Sequence, residues 1–115
     1  MTTFEALRDA VIERSEELNE GNRTDAAFRG LEMGGECGEA QNVIKKLELI
    51  RRGFAGLVKF SEADLLDRLA EELADTVICA DRCAVLYSID LGAAVRHKFN
   101  VTSVQKDLRS MMRWD

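Results

Sequence analysis

Ser61-Glu62-Ala63-Asp64-Leu65-Leu66-Asp67-Arg68-Leu69-Ala70-Glu71-Glu72-Leu73-Ala74-Asp75-Thr76-Val77-Ile78 is the stretch whose periodicity decides the fold. Leu65, Leu69, Leu73 and Val77 return every four residues, and Leu66 adds a neighbouring row, which is a helical period. Ser61 followed three residues later by Asp64 resembles a capping box and opens a helix through Glu62 to about Ser88. Its apolar residues, continuing through Ile78, Ala80, Ala84 and Val85, cover more than a narrow stripe, so this helix is expected to be central. The chain has 115 residues, no proline and only 6% aromatic side chains. The expected class is therefore all-α, a bundle of four to five helices, with residues 1–115 forming one domain around a single core.

Upstream, Asp25 or Thr24 is positioned to cap a second helix that runs to about Arg51. Gly30, Gly34, Gly35 and Gly38 lie inside it at a cost in helix propensity. Gly30, Gly34 and Gly38 would make a smooth strip where another helix or a ligand can approach the backbone. Arg52 to Phe60, with Gly53 and Gly56, breaks the period and reads as the longest loop. The first helix spans Thr3 to about Asn19, with Phe4, Leu7, Val11 and Leu18 on one side and Glu13, Glu16, Glu17 and Glu20 on the other. Glu20-Gly21-Asn22 carries turn chemistry. Downstream, Asp90 is expected to cap a fourth helix from Leu91 to about Asn100. Val101 to Asp115 reads as a docked helix or an arm reaching a neighbouring subunit.

The charge balance removes whole classes of function. Asp and Glu number 21 against 16 Lys and Arg, a formal charge of -5, so no partner with a nucleic-acid backbone is expected. No apolar run approaches the ~20 residues of a membrane span, and no membrane partner is expected. Cys37, Cys79 and Cys83 are odd in number, and no charged-then-apolar leader opens the chain, which fits reduced, buried thiols and a cytoplasmic setting. A structural zinc would need a Cys-x-x-Cys knuckle that these cysteines do not supply. A carboxylate-bridged di-iron bundle needs Glu-x-x-His, and the single His97 has Ala94 three residues before it.

The informative residues are acids on the wrong face. Carboxylates three apart recur at Glu13/Glu16, Glu17/Glu20, Glu36/Glu39, Asp64/Asp67 and Glu72/Asp75, and spacing alone does not separate them. Position on the helix does, because three residues return a side chain to nearly the same side. The first-helix pairs oppose Phe4, Leu7 and Val11, and Asp64/Asp67 share a polar flank with Arg68 and Glu71. Glu36 instead lies in the apolar row of Met33, Ala40, Val43 and Leu47, and Glu72 continues the row of Leu65 and Leu69 toward Thr76. Carboxylates on a core-facing row must be paired or bind cations. One reading pairs Glu36, Glu39, Glu72 and Asp75 with Lys45, Lys46, Arg68 and Arg82 as bundle salt bridges. The other makes them a hard-oxygen site for magnesium or manganese, able to polarise a phosphoryl group and activate water.

Glu36-Cys37-Gly38-Glu39, a spacer, Glu71-Glu72-Leu73-Ala74-Asp75, then Asp81 and later Lys98-Phe99-Asn100 resemble the MazG-like all-α nucleoside triphosphate pyrophosphohydrolases. That family's pattern is Glu-x-x-Glu followed by Glu-x-x-Asp. The likeness extends to Gly34-Gly35 before the first pair, Asn42 and Lys45-Lys46-Leu47 after it, and Val101-Thr102-Ser103 at the end, covering about Leu31 to Ser103. The spacer, enlarged by the Gly53/Gly56 loop, is at the long end for the family.

The resemblance implies hydrolysis of a nucleoside triphosphate to its monophosphate and pyrophosphate by a homodimer or homotetramer whose sites are completed across subunits. It implies Glu36, Glu39, Glu72 and Asp75 as ligands of magnesium or manganese, two or more ions per site. Its Lys-Phe-Asn segment is similar to that of small phage and bacterial members acting on purine deoxynucleotides, which favours a purine such as dGTP and, for a phage protein, the host cytoplasm. Water activation falls to Glu36 or Glu39. Lys46, seven residues after Glu39 and so two turns along the same face, and Lys98 would offset phosphate charge. Asn42 would hydrogen-bond sugar or phosphate. Lys98 and Asn100, read as ending the fourth helix, also suit a C-terminal cap. Arg82, like Cys79, extends the acidic face and borders substrate unless it is a plain salt-bridge partner. Trp114, Phe28, Phe54 and Phe60 are the aromatics able to stack on a base, unless they are core. The alternative function is a catalytically silent helical dimerisation or nucleotide-sensing module.

Overall fold

The computed structural model describes residues 1–18 and 25–113. The expected turn at Glu20-Gly21-Asn22, the alternative cap Thr24, the Glu17/Glu20 pairing and Trp114 therefore lie outside the described residues. Four α-helices and no strand occur among the described residues: α1 (Thr3–Glu17), α2 (Ala26–Arg51), α3 (Glu62–Leu86) and α4 (Leu91–Gln105), with a short 3-10 turn at Ala55–Leu57. The chain divides into two compact units, one of residues 25–80 and one of residues 1–24 with 81–115.

The starts of the helices follow their capping residues. Thr2 and Glu5 form a reciprocal capping box at α1. Asp25 accepts from the Phe28 amide, Ser61 from the Asp64 amide and Asp90 from the Ala93 amide. The ends share a different device. Gly53, Ser88 and Asp107 each adopt positive φ, and the next residue's amide reaches back five residues: Phe54 to Leu49, Ile89 to Ala84, Leu108 to Ser103. Only one of those three residues is glycine. This is why α4 does not stop near Asn100 as expected but continues to Gln105, leaving Lys98 and Asn100 in mid-helix, where no C-cap or helix-end dipole role applies.

In the 25–80 unit, α2 and α3 bury Ala40, Val43, Leu65 and Cys79, and Leu65 is fully enclosed. The core-facing rows expected for Glu36 and Glu72 are thus where Ala40, Val43 and Leu65 place them. The wide apolar surface of α3 is only partly used, since Leu66, Leu73 and Val77 are about half exposed. Among the described residues nothing lies within contact of a Cβ at Gly30, Gly34, Gly35 or Gly38, so the packing they show does not account for that strip.

In the other unit, α1 packs on α4. Phe4, Leu7 and Val11 are half-buried as the period predicts, but Leu18, at the α1 C-cap, is exposed. Asp81 is buried and pairs with Arg8. The tail past α4 is not a helix; Asn100 holds it, donating to the Met112 carbonyl and accepting from its amide, while Arg96 donates to the Arg113 carbonyl.

Gly92 lets α1 approach α4 closely, because a Cβ there would stand 2.8 Å from the Cβ of Phe4. Neither atom is the end of a flexible side chain. Gly92→Ala is expected to cost about 1–2 kcal/mol net, overpacking outweighing alanine's helix preference. Urea denaturation measures it, and an alanine variant as stable as its parent would contradict the close packing.

Candidate metal centre

Three of the four predicted ligands converge. Glu36 and Glu39, one turn apart on α2, and Glu72 on α3 each bring a carboxylate oxygen within 4.8 Å of the other two. The Oε2 atoms of Glu36 and Glu72 are buried and accept no hydrogen bond. Glu39 reaches the surface. Asp75 is exposed and stands outside this trio, yet its charge still raises the Glu36 pKa. None of the four acids forms an ion pair among the described residues, so the salt-bridge reading of this cluster finds no partner.

Unpaired carboxylates this close meet their own repulsion. Burial, then the charges of Glu39 and Asp75, push Glu36 above its ordinary value. Glu72 is pushed up to about 7, chiefly by hydrogen bonding to Glu39, with burial and the charges of Glu39 and Glu36 adding. The cluster therefore holds a proton at mildly acidic pH. Between the ordinary glutamate value of 4.5 and about 7 the folded chain binds more protons than the unfolded one, so stability is fully present below that window and falls as pH rises through it. Thermal melts in chelator should show the melting temperature dropping from pH 5 to pH 8 and flattening in Glu72→Gln. A flat parental profile would contradict the shared proton.

The donor set fits a hard divalent cation. All three candidate ligands are carboxylate oxygens lying within 4.8 Å of one another, two of them with unused buried lone pairs, a donor set of the kind magnesium or manganese takes.

The other predicted residues divide by unit. Asn42 is exposed on α2 three residues beyond Glu39. Lys46 is half-buried, its Nζ 5.3 Å from the centre of the Phe60 ring. Cys79 is buried and its thiol donates to Glu32 at 3.7 Å, beside the Arg29–Glu32 pair. Cys37 is exposed, against the expectation of buried thiols. Arg82, Lys98 and Asn100 belong to the other unit. Lys98 lines an open groove along α4 with Val95, Phe99 and Lys106, and Asn100 is occupied by the backbone of Met112.

Of the aromatics, Phe28 and Phe54 are about half exposed, whereas Phe60 is half-buried and carries the Arg68 guanidinium 4.1 Å from its ring centre. Sequence reasoning treated Arg68 only as a salt-bridge partner. Its signal was available in part, since it stands four residues before Glu72 and so on that face of α3. Compared with family models, curated proteins and solved structures, the chain matches none.

Proposed function

We propose that the chain is a magnesium- or manganese-dependent hydrolase that takes a (deoxy)nucleoside triphosphate, a purine such as dGTP, and water to the monophosphate and pyrophosphate. The observation that carries this reading is the Glu36/Glu39/Glu72 trio with two buried, unpartnered oxygens and no basic partner. The MazG-like resemblance of the same residues supports it.

Glu36, Glu39 and Glu72 would hold the cation, and Asp75, three residues after Glu72 on α3, would join them for a second. When bound, the metal supplies Lewis acidity toward phosphoryl oxygens and lowers the pKa of water. Glu39, the exposed member, is the better placed of Glu36 and Glu39 to take a proton from incoming water. Glu72, raised to about 7, would hold the cation as a carboxylate, so binding there would be coupled to release of its proton. Asn42 and Lys46 would meet the substrate from the α2 side. A homodimer or homotetramer would cover the half-exposed Leu66, Leu73 and Val77 on α3 and bring a partner's surface to the open glycine strip.

The test is a panel of nucleoside triphosphates with magnesium and full product analysis. The expected result is monophosphate plus pyrophosphate from a purine deoxynucleotide, with Glu39→Ala inactive. No monophosphate from any substrate, or equal activity in Glu39→Ala, would overturn the reading.

A further inference from the structure

Phe60 stands at the end of the loop, immediately before the Ser61 cap, and its ring carries two cations: Arg68 at 4.1 Å and Lys46 at 5.3 Å from the centroid. Neither cation forms an ion pair among the described residues. Arg68 has Asp64 and Glu72 four residues away and Glu71 three away, the usual helical pairing partners, and it lies on the ring instead. Two like charges held around one ring repel each other, and the ring quadrupole offsets that only in part. Such an arrangement is completed by an anion that touches both.

The register says where that anion would lie. Arg68 precedes Glu72 by one turn of α3 and Lys46 follows Glu39 by two turns of α2. Both cations thus lie on the loop side of the acid trio, within the same compact unit. A ligand with one end at the carboxylates has its other end at the cations. The planar guanidinium matches two oxygens of a phosphate at once, and the ammonium adds a point charge.

We propose that Arg68 and Lys46, seated on Phe60, form a clamp for the terminal phosphates, so that pyrophosphate leaves from this end; the ligand's identity rests on the triphosphate reading. Arg68 and Phe60 are then substrate-positioning residues in a role that the sequence reading, which offered Phe60 for base stacking and Arg68 for a salt bridge, did not give them. The ring fixes both cations in place before the ligand arrives, which reduces the ordering cost of binding it.

Calorimetric titration of inorganic pyrophosphate into the full chain with magnesium tests this. The parent should bind, Arg68→Gln and Lys46→Gln should each bind about tenfold more weakly or worse, and Arg68→Lys should recover part of the loss. Arg68→Gln should also raise KM for the triphosphate while keeping the parental melting temperature, since Arg68 is exposed. Unchanged pyrophosphate affinity in both glutamine variants, or none in the parent, would overturn the clamp. Weakened pyrophosphate binding without turnover of any triphosphate would uphold the clamp and remove the reaction. Turnover with unaltered KM and product affinity in Arg68→Gln would remove the clamp and leave the reaction standing.

Discussion

Glu72→Gln is expected to lower turnover by about a hundredfold or more while raising the melting temperature of the metal-free chain. The two effects have one cause. Glu72 is the α3 contribution to a trio whose other members come from α2, so its loss removes the cation's grip across the helix pair. Losing one group that stabilises developing charge typically costs 10²–10³ in rate. Without metal the same carboxylate is a liability, because it is held at about 7 by neighbouring carboxyls and its Oε2 has no donor. A glutamine amide fits the same space, carries no charge and can donate to Glu39 or Glu36. Activity with magnesium and melting in chelator are both read on the purified variant. Retained turnover would contradict the metal site, and a variant less stable than its parent would favour a structural pairing. Asp67→Asn, on the exposed flank, should change neither.

Arg8→Ala should be the most destabilising single substitution in the unit of residues 1–24 and 81–115. Asp81 is 1% exposed, and its carboxylate accepts from Arg8 Nε at 3.1 and 3.3 Å and from Nη2 at 2.9 Å. The same guanidinium donates to the Ile89 carbonyl, just beyond α3. Removing it leaves a buried carboxylate with no counter-charge, a change worth about 3–5 kcal/mol and roughly 10–20 °C of melting temperature in a chain of this size. Asp81→Asn added to Arg8→Ala should return part of that loss, since a neutral amide is cheaper to bury. A melting temperature within a few degrees of the parent in Arg8→Ala would contradict the pairing. The charge of Asp81 thus serves the fold, although the residue is itself one of those that carry the enzyme resemblance.

The helix starts were legible because capping is local: Asp25, Ser61 and Asp90 each bind an amide three residues on. The end of α4 was not, because Asp107 takes a left-handed conformation that its side-chain type does not require, whereas Gly53 announces its own. The convergence of Glu36, Glu39 and Glu72 could be read because an acid in an apolar row has few fates. Asp75 could not be placed as firmly, since a residue one turn away shares a face but not a depth. The Arg8–Asp81 pair joins residues far apart in sequence, and the Arg68–Phe60–Lys46 stack is made across the loop between two helices, so no helical period connects either.

The most direct test of the central claim is a manganese titration of the metal-free chain near pH 8, following the free-ion electron paramagnetic resonance signal. Above its value of about 7 the Glu72 carboxyl is ionised, so the parent should remove the signal until its sites fill, and Glu72→Gln should leave it nearly undiminished. A parental chain that leaves the manganese signal intact, or a Glu72→Gln variant that removes it equally well, would contradict a cation site built from these carboxylates.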